Sequence, residues 1–251
     1  MDPAQLLLVV AIGAGIGFLG GLLGKGGSAI ATPILAAMGI PPLVALTAPL
    51  PATVPGTLVA AENYRRRGLI DRSVLVGSLA AGIPATIVGA YASRWVGGHA
   101  LILVTDAIIV GLGIRLLLAP RDAELVDEAG APSRGKIVAV AVVTGLAAGL
   151  LANSGGFLLA PLFIAVLGLP IKPALGTSLA VAAVLAVPGS LVHLALGHLD
   201  FWVVIAFGIG SVPLSGLGAR VAVATDPARL ERGYGAALVV LGGGFLLASL
   251  L

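Results

Sequence analysis

Long apolar runs follow one another along the chain, separated by short polar or glycine-rich interruptions. With a window of about 19 residues, runs near the roughly 20 residues that cross a bilayer as a helix cover 4–23, 43–61, 73–93, 98–118, 173–196, 200–222 and 233–251. Shorter runs cover 28–40, 137–152 and 156–169. The first and last of these are too short to span comfortably at about 1.5 Å per residue. The pattern predicts ten helical segments.

The runs are apolar on every side, as 102–118 and 181–196 illustrate, and lack the period-two alternation of a barrel strand. The chain of 251 residues is 59% hydrophobic and only 10% charged, and its mean hydropathy is +1.13. Soluble domains are about one quarter charged. The expected fold class is therefore an all-α integral membrane protein.

The net charge of +3 does not indicate a nucleic-acid partner, because the basic residues are scattered among apolar runs and aromatic residues make up only 4%. There is no cysteine and there are only three histidines, so we expect no disulfide, no metal site and no cofactor. No phosphate-binding loop sequence occurs, which excludes ATP coupling within this chain. We expect no catalytic residues.

The chain divides into two halves that resemble each other. The polar stretch 119–136 reads as a cytoplasmic linker between a first repeat, 1–118, and a second, 137–251. A shift of 128 aligns 17–33 with 145–161, and a shift of 129 aligns glycine, proline and aspartate pairs further on, including Gly39 with Gly168 and Asp71 with Asp200. Glycine and proline matches carry weight because each fixes a backbone feature.

Each half holds five segments, so the second half enters the membrane from the opposite side. With both termini outside, 13 of the 14 Lys and Arg residues face the cytoplasm and only Arg94 lies outside. The prediction is a multi-pass protein of the plasma membrane. Inverted repeats of this kind are typical of secondary transporters.

Glycine pairs interrupt both halves at equivalent places, within "GLLGKGGSAIATP" and "GLLANSGGFLLAP". We interpret each as a broken-helix hairpin, with a short helix resuming near Ser28 and near Gly156 and presenting free N–H groups to an anion. The positive charge of Lys25 would make the substrate cavity between the two hairpins favour anions. Alternatively, residues 24–27 form a plain cytoplasmic turn. The predicted substrate-binding residues are Lys25, Gly26, Gly27, Ser28, Asn153, Ser154, Gly155, Gly156, Thr177 and Ser178.

A few other polar residues lie within apolar runs. Thr177 and Ser178 either cap a helix or face the cavity. Asp106 and His193 are candidates for proton coupling, against a structural or interfacial role for each. Asp71 and Asp200 each open a helix and are expected to cap it.

Three motifs resemble one known family. They are the repeated G-x-x-x-G-x-x-x-G-x-G-G…P opening of the halves, "PALGTSLA" at 173–180, and H-x-x-x-G-H-L-D-F at 193–201. The chain resembles the sulfite exporter TauE/SafE family of bacterial and archaeal membrane transporters. The resemblance implies a carrier, often an exporter, of small sulfur-containing anions such as sulfite or organosulfonates. The first half departs from the pattern at "TAPLPATVPG", which carries extra prolines and argues against a symmetric site.

The sequence also allows other functions. The chain would alternatively carry other small anions such as carboxylates, or act as a membrane scaffold that transports nothing. An intramembrane serine hydrolase would pair Ser154 or Ser178 with His193, but no G-x-S-x-G sequence is present. The expected partners are a small anion and the lipid bilayer, and the sequence leaves a homodimer open.

Overall fold

The computed structural model describes residues 3–24, 28–92, 98–118, 132–150, 156–195, 197 and 199–250. Every regular element in these ranges is a helix, which confirms the all-α prediction. The helices of the first half are α1 (Pro3–Leu23), α2 (Ser28–Ala37), α3 (Pro42–Thr47), α4 (Pro49–Arg65), α5 (Arg72–Ala92) and α6 (Gly98–Leu118). Those of the second half are α7 (Arg134–Leu150), α8 (Gly156–Ala165), α9 (Ile171–Ala195), α10 (Phe201–Ala224) and α11 (Pro227–Leu250).

Most helices lie where the apolar runs predict them, with three differences. The predicted segment 43–61 is two helices, α3 and α4. Helix α11 begins at Pro227 instead of 233. Of the predicted linker, only 132–136 falls within the described ranges, and α7 already begins there, at Arg134.

The division between α3 and α4 follows from proline chemistry. Ala48 has helical dihedral angles (φ −62°, ψ −36°), and its N–H donates to the Val44 carbonyl at 2.8 Å. The next residue, Pro49, has no N–H and cannot donate to the carbonyl of Ala45. The hydrogen-bond ladder is therefore interrupted, whereas α9, the counterpart in the second half, has Ser178 at this position and continues through it as one helix.

Four helices in the described part of the chain are long and apolar enough to cross a membrane. They are Pro3–Leu23, Arg72–Ala92, Ile171–Leu191 and Phe201–Ala224. The third, within α9, is the most enclosed of them by the rest of the protein. With α8, which buries Leu159 and Phe163 completely, it forms the centre of the main hydrophobic core.

The two halves exchange helices in their packing. Helix α1 of the first half packs along α10 of the second, and α7 of the second half packs along α5 of the first. Helix α4 packs against α10, and α9 against α5, while α4 contacts α9 and α6 contacts α11. Among these six pairings, each contact between halves has a counterpart with the halves interchanged, and the contacts of α4 with α9 and of α6 with α11 are their own counterparts.

Glycines allow these helix pairs to approach closely. A Cβ atom on Gly21 of α1 would lie against the backbone carbonyl of Ser215 on α10, and one on Gly149 of α7 would lie against that of Thr86 on α5. Both the glycines and the residues that they face are equivalent in the repeat alignment. Gly21 and Gly149 thus let the helix backbones approach closely, as small residues do where helices pack in membranes.

Candidate functional site

The two short helices begin where the sequence predicts them. Helix α2 starts at Ser28 and α8 at Gly156, and each has 10 residues. Six of the residues predicted to bind substrate lie in the stretches that the structure leaves undescribed, namely Lys25, Gly26, Gly27, Asn153, Ser154 and Gly155. The described geometry therefore concerns the two helix starts and the residues that surround them.

Ser178 fixes the residue that precedes the first break. Gly24 ends α1 with a positive φ of 66°, a conformation that glycine adopts without strain. The buried Ser178 hydroxyl shares its one proton between the Gly24 carbonyl, at 3.0 Å, and the Leu175 carbonyl of its own helix, at 2.9 Å. Helix α9 thereby anchors the point at which the chain leaves α1.

Thr177 makes a second link from the same turn of α9. Its Oγ1 accepts a hydrogen bond from the backbone N–H of Asp71 at 3.0 Å. Because α9 begins at Ile171, Thr177 and Ser178 lie in its second turn and do not cap it, which corrects that alternative. Both side chains are fully buried and hold neighbouring chain segments in place.

The predicted aspartate caps are present in both halves. The Asp71 carboxylate accepts from the N–H groups of Ser73 and Val74 at 2.9 and 3.0 Å. The Asp200 carboxylate accepts from Trp202 and Val203 at 2.9 and 3.2 Å. These bonds fix the starts of α5 and α10, the helices that pack along α7 and α1.

Equivalent glycine turns follow the two short helices and precede α5 and α10. Gly39 follows α2 with φ 81°, and its partner in the alignment, Gly168, follows α8 with φ 78°. Gly68 and Gly197, which precede α5 and α10, have φ of 68° and 70°. The local backbone geometry therefore agrees with the alignment of the two halves at four glycines.

A small cavity lies between α1, α4 and α10. It offers about 20 Å³ to water-sized groups, which is room for one or two water molecules. Its lining combines glycine backbone, apolar side chains and four hydroxyls, from Ile16, Gly17, Gly20, Gly21, Ala52, Thr53, Gly56, Thr57, Leu179, Phe207, Ser211 and Ser215.

The cavity hydroxyls differ in their hydrogen bonding. Thr53 donates to the Pro49 carbonyl at 2.9 Å, Thr57 to the Thr53 carbonyl at 2.7 Å, and Ser215 to the Gly56 carbonyl of α4 at 2.7 Å. The Ser211 hydroxyl is buried and has no hydrogen-bond partner in the described structure. Ser211 thus supplies a free donor midway along α10, which sequence reasoning missed.

At the repeat-equivalent place, between α5, α7 and α9, a leucine stands where the cavity has a glycine. Ser211 aligns with Gly82, and Gly56 aligns with Leu185. The Leu185 side chain reaches to 3.4 Å from where a Cβ on Gly82 would lie. This side chain takes up space that is open beside Gly56 in the cavity, and Ala52, Thr53 and Gly56 on the cavity wall fall within the aberrant "TAPLPATVPG" stretch.

The two proton-coupling candidates lie far apart in the sequence, Asp106 in α6 and His193 near the end of α9; their side chains are outside the described part. Among the residues that the structure does describe, no three His, Cys, Asp or Glu side chains group as a metal site would require.

Comparisons with known proteins agree on one class of protein. A model of the family described as sulfite exporter TauE/SafE matches residues 9–245. A "Probable membrane transporter protein" of Xylella fastidiosa (strain 9a5c) is 27% identical over 243 residues, covering 93% of this chain and 93% of the relative. "Probable membrane transporter protein YjnA" of Bacillus subtilis (strain 168) is 24% identical over 237 residues, covering 89% and 92%. No solved structure matches the chain.

The matched residues extend over nearly the whole chain, from α1 into α11. The relatives are matched over nearly their full length as well. Together with the four apolar helices of spanning length, these matches make the chain a membrane-embedded transporter. It belongs to the sulfite exporter TauE/SafE family.

Proposed function

We propose that this protein is a secondary carrier, working as an exporter, of small sulfur-containing anions such as sulfite or organosulfonates. The substrate binds between the two glycine-rich breaks, near the middle of the membrane. The observation that carries the proposal is the pair of ten-residue helices, α2 and α8, that begin directly after the breaks at equivalent positions.

Helix starts of this kind suit an anion. The first N–H groups of a helix have no partner within it, and the helix dipole places partial positive charge there. In the proposed site the backbone N–H groups of Gly26, Gly27, Ser28, Gly155 and Gly156 donate to the substrate oxygens, together with the side chains of Asn153 and Ser154. Several neutral donors bind an anion less tightly than a buried salt bridge would, so the anion can be released again.

The exchanged packing of the halves supports an inverted repeat. If the second half is inserted upside down relative to the first, a pseudo-two-fold axis relates α1 on α10 to α7 on α5. The same axis brings the two breaks toward one central site. Both termini then lie outside the plasma membrane and the linker 119–136 lies in the cytoplasm, in line with the distribution of Lys and Arg.

Lys25 sits beside the first break and draws anions toward the cytoplasmic entrance. A membrane potential that is negative inside favours the exit of a monovalent anion by about 2.3 kcal/mol per 100 mV. Export therefore needs no coupling ion. If export depends on the proton gradient, Asp106 and His193 are the candidate proton carriers.

Counterflow in proteoliposomes tests the proposal. Vesicles that contain the purified protein and are loaded with unlabelled sulfite are expected to accumulate external radiolabelled sulfite transiently, and to exchange an organosulfonate but not acetate. Exchange of acetate alone would instead indicate a carboxylate carrier. No exchange of any anion would leave the membrane-scaffold alternative.

The same assay locates the site. Gly155→Val should abolish exchange, because a branched side chain removes backbone freedom and fills the space beside the N–H donors. Gly15→Val is the control, since a Cβ at Gly15 meets no other atom within 4 Å. A folded Gly155→Val protein that exchanges sulfite at the wild-type rate would show that the breaks only serve packing.

A further inference from the structure

Two rows of side chains on the outer surface lie side by side on α4 and α10, and each row passes from apolar residues to an arginine. On α4, Val59, Asn63 and Arg66 are separated by four and three positions and therefore share one face of the helix. On α10, Leu217 is followed three positions later by Arg220. Val59 and Leu217 are 41% and 47% exposed, and both arginines are exposed as well.

Described contacts join the two rows. The Asn63 side chain donates from Nδ2 to the Gly216 carbonyl of α10 at 3.4 Å, and a Cβ on Gly216 would lie 2.8 Å from Cγ1 of Val59. Arg220 donates from Nε to Oδ1 of Asn63 at 3.3 Å. The two helices therefore form one surface groove, which we name the α4–α10 groove, lined by Val59, Asn63, Arg66, Leu217 and Arg220.

The arginine end of the groove carries positive charge and unused hydrogen-bond donors. The Glu62 carboxylate accepts from Nη2 of Arg65 and from Nε of Arg66, both at 2.8 Å, and so holds these side chains at the end of α4. With Arg220 included, three guanidinium groups against one carboxylate leave a net charge of +2. Nη1 and Nη2 of Arg66 and of Arg220 make no hydrogen bond in the described structure, so they are available to an anion.

The repeat-equivalent positions on α9 and α5 carry no charge. The shift of 129 puts uncharged residues in the places of Asn63, Arg66 and Arg220, namely Val192, Ala195 and Tyr91. Helices α9 and α5 pack against each other as α4 and α10 do. Packing of such a helix pair therefore does not require arginines, and the charge of the α4–α10 groove needs another explanation.

We propose that the α4–α10 groove binds an anionic phospholipid, with the phosphate of its headgroup between Arg66 and Arg220. The acyl chains lie on Val59 and Leu217, since exposed apolar side chains of a membrane-embedded protein face lipid. Arginine suits this partner because its planar group can donate two parallel hydrogen bonds to a phosphate, and basic pockets between membrane helices bind anionic headgroups. The site does not depend on which anion the protein carries.

Two other occupants fit the groove less well. A free phosphate ion would use the arginines but leave the apolar part of the groove uncovered. A zwitterionic lipid would cover the apolar part, but its headgroup would bring a second positive charge toward the arginines, where like charges repel. Only an anionic lipid matches both parts.

Thermal unfolding of the full chain in a neutral detergent tests the proposal. The probes are dioleoylphosphatidylglycerol, dioleoylphosphatidylcholine, which has the same acyl chains, and inorganic phosphate. Arg66→Gln and Arg220→Gln each remove one charge from the groove, and neither removes a buried side chain, because both arginines are exposed.

Arg229→Gln is the matched control. Arg229 is also exposed and lies in the first turn of α11, shortly after α10 ends at Ala224. Its helix packs along α6. The control therefore removes the same charge at the same end of the molecule but outside the groove.

Phosphatidylglycerol should stabilise the wild-type protein at concentrations at which phosphatidylcholine and phosphate have no effect, because a ligand of the folded state raises the unfolding temperature. The apparent Kd for phosphatidylglycerol should rise about fivefold in Arg66→Gln and in Arg220→Gln, as expected for the loss of one arginine next to an anionic headgroup. It should stay unchanged in Arg229→Gln.

Equal stabilisation by the two lipids would overturn the inference, and so would equal Kd values for Arg220→Gln and Arg229→Gln. The arginines would then act only through the general charge of this side of the protein, as the positive-inside rule describes. Stabilisation by inorganic phosphate to the same extent as by phosphatidylglycerol would also overturn it and indicate a site for a free anion.

Discussion

Ser178 shows how a single hydroxyl can connect two distant parts of the chain beside the proposed site. Its hydroxyl joins α9 to the Gly24 carbonyl, 154 positions away in the sequence. A motif cannot reveal such a partner, and the sequence left open whether Ser178 caps a helix or faces a cavity. The caps at Asp71 and Asp200 were predictable, because each carboxylate binds N–H groups two and three residues further along the chain.

Replacing Ser178 by Ala should lower the free energy of unfolding by about 1–3 kcal/mol, because the buried Gly24 carbonyl loses its side-chain donor. Affinity for sulfite should fall as well, since the residue before the break is no longer anchored. Ser190→Ala is the matched control on the same helix, because Ser190 donates only to the Ala186 carbonyl one turn earlier, at 2.9 Å. Thermal unfolding in detergent that gives equal shifts for both variants would contradict the assigned role of Ser178.

At the scale of elements, the contact of α1 with α10 and that of α7 with α5 are matched pairs. Gly21→Val and Gly149→Val should each lower the free energy of unfolding by about 3 kcal/mol or more. The added Cβ would meet the backbone carbonyl of Ser215 in the first variant and that of Thr86 in the second. Gly15→Val should leave the unfolding temperature unchanged, since space is open there. A Gly21→Val protein with wild-type stability would show that α1 and α10 pack less closely than described.

Element boundaries were predicted well where an apolar run ends at a local signal, and poorly where the backbone breaks inside a run. The sequence showed extra prolines in "TAPLPATVPG". Hydropathy does not show, however, that Pro49 interrupts the helix hydrogen bonds directly after Ala48, which is itself still helical. The cavity was not predictable either. It depends on Gly56 of α4 and Ser211 of α10 lining the same space, although these residues are far apart in the sequence.

At the scale of the whole molecule, the account depends on the two halves crossing the membrane in opposite directions. That arrangement would turn two similar glycine-rich breaks into one anion site, and it accounts for packing in which each half completes the other. The family was readable from its motifs, and the repeat was predicted because glycine, proline and aspartate recur at shifts of 128 and 129. The identity of the substrate was not readable, because hydropathy and repeat spacing do not report which anion is bound.

Reporter insertion measures this arrangement directly. Green fluorescent protein, which fluoresces in the cytoplasm, and alkaline phosphatase, which is active outside it, are each inserted after Leu118 or fused after Leu251 of the full chain. The account predicts fluorescence and no phosphatase activity at Leu118, and phosphatase activity without fluorescence at Leu251. If both positions report the same compartment, the halves are not inverted and the breaks do not meet in one site.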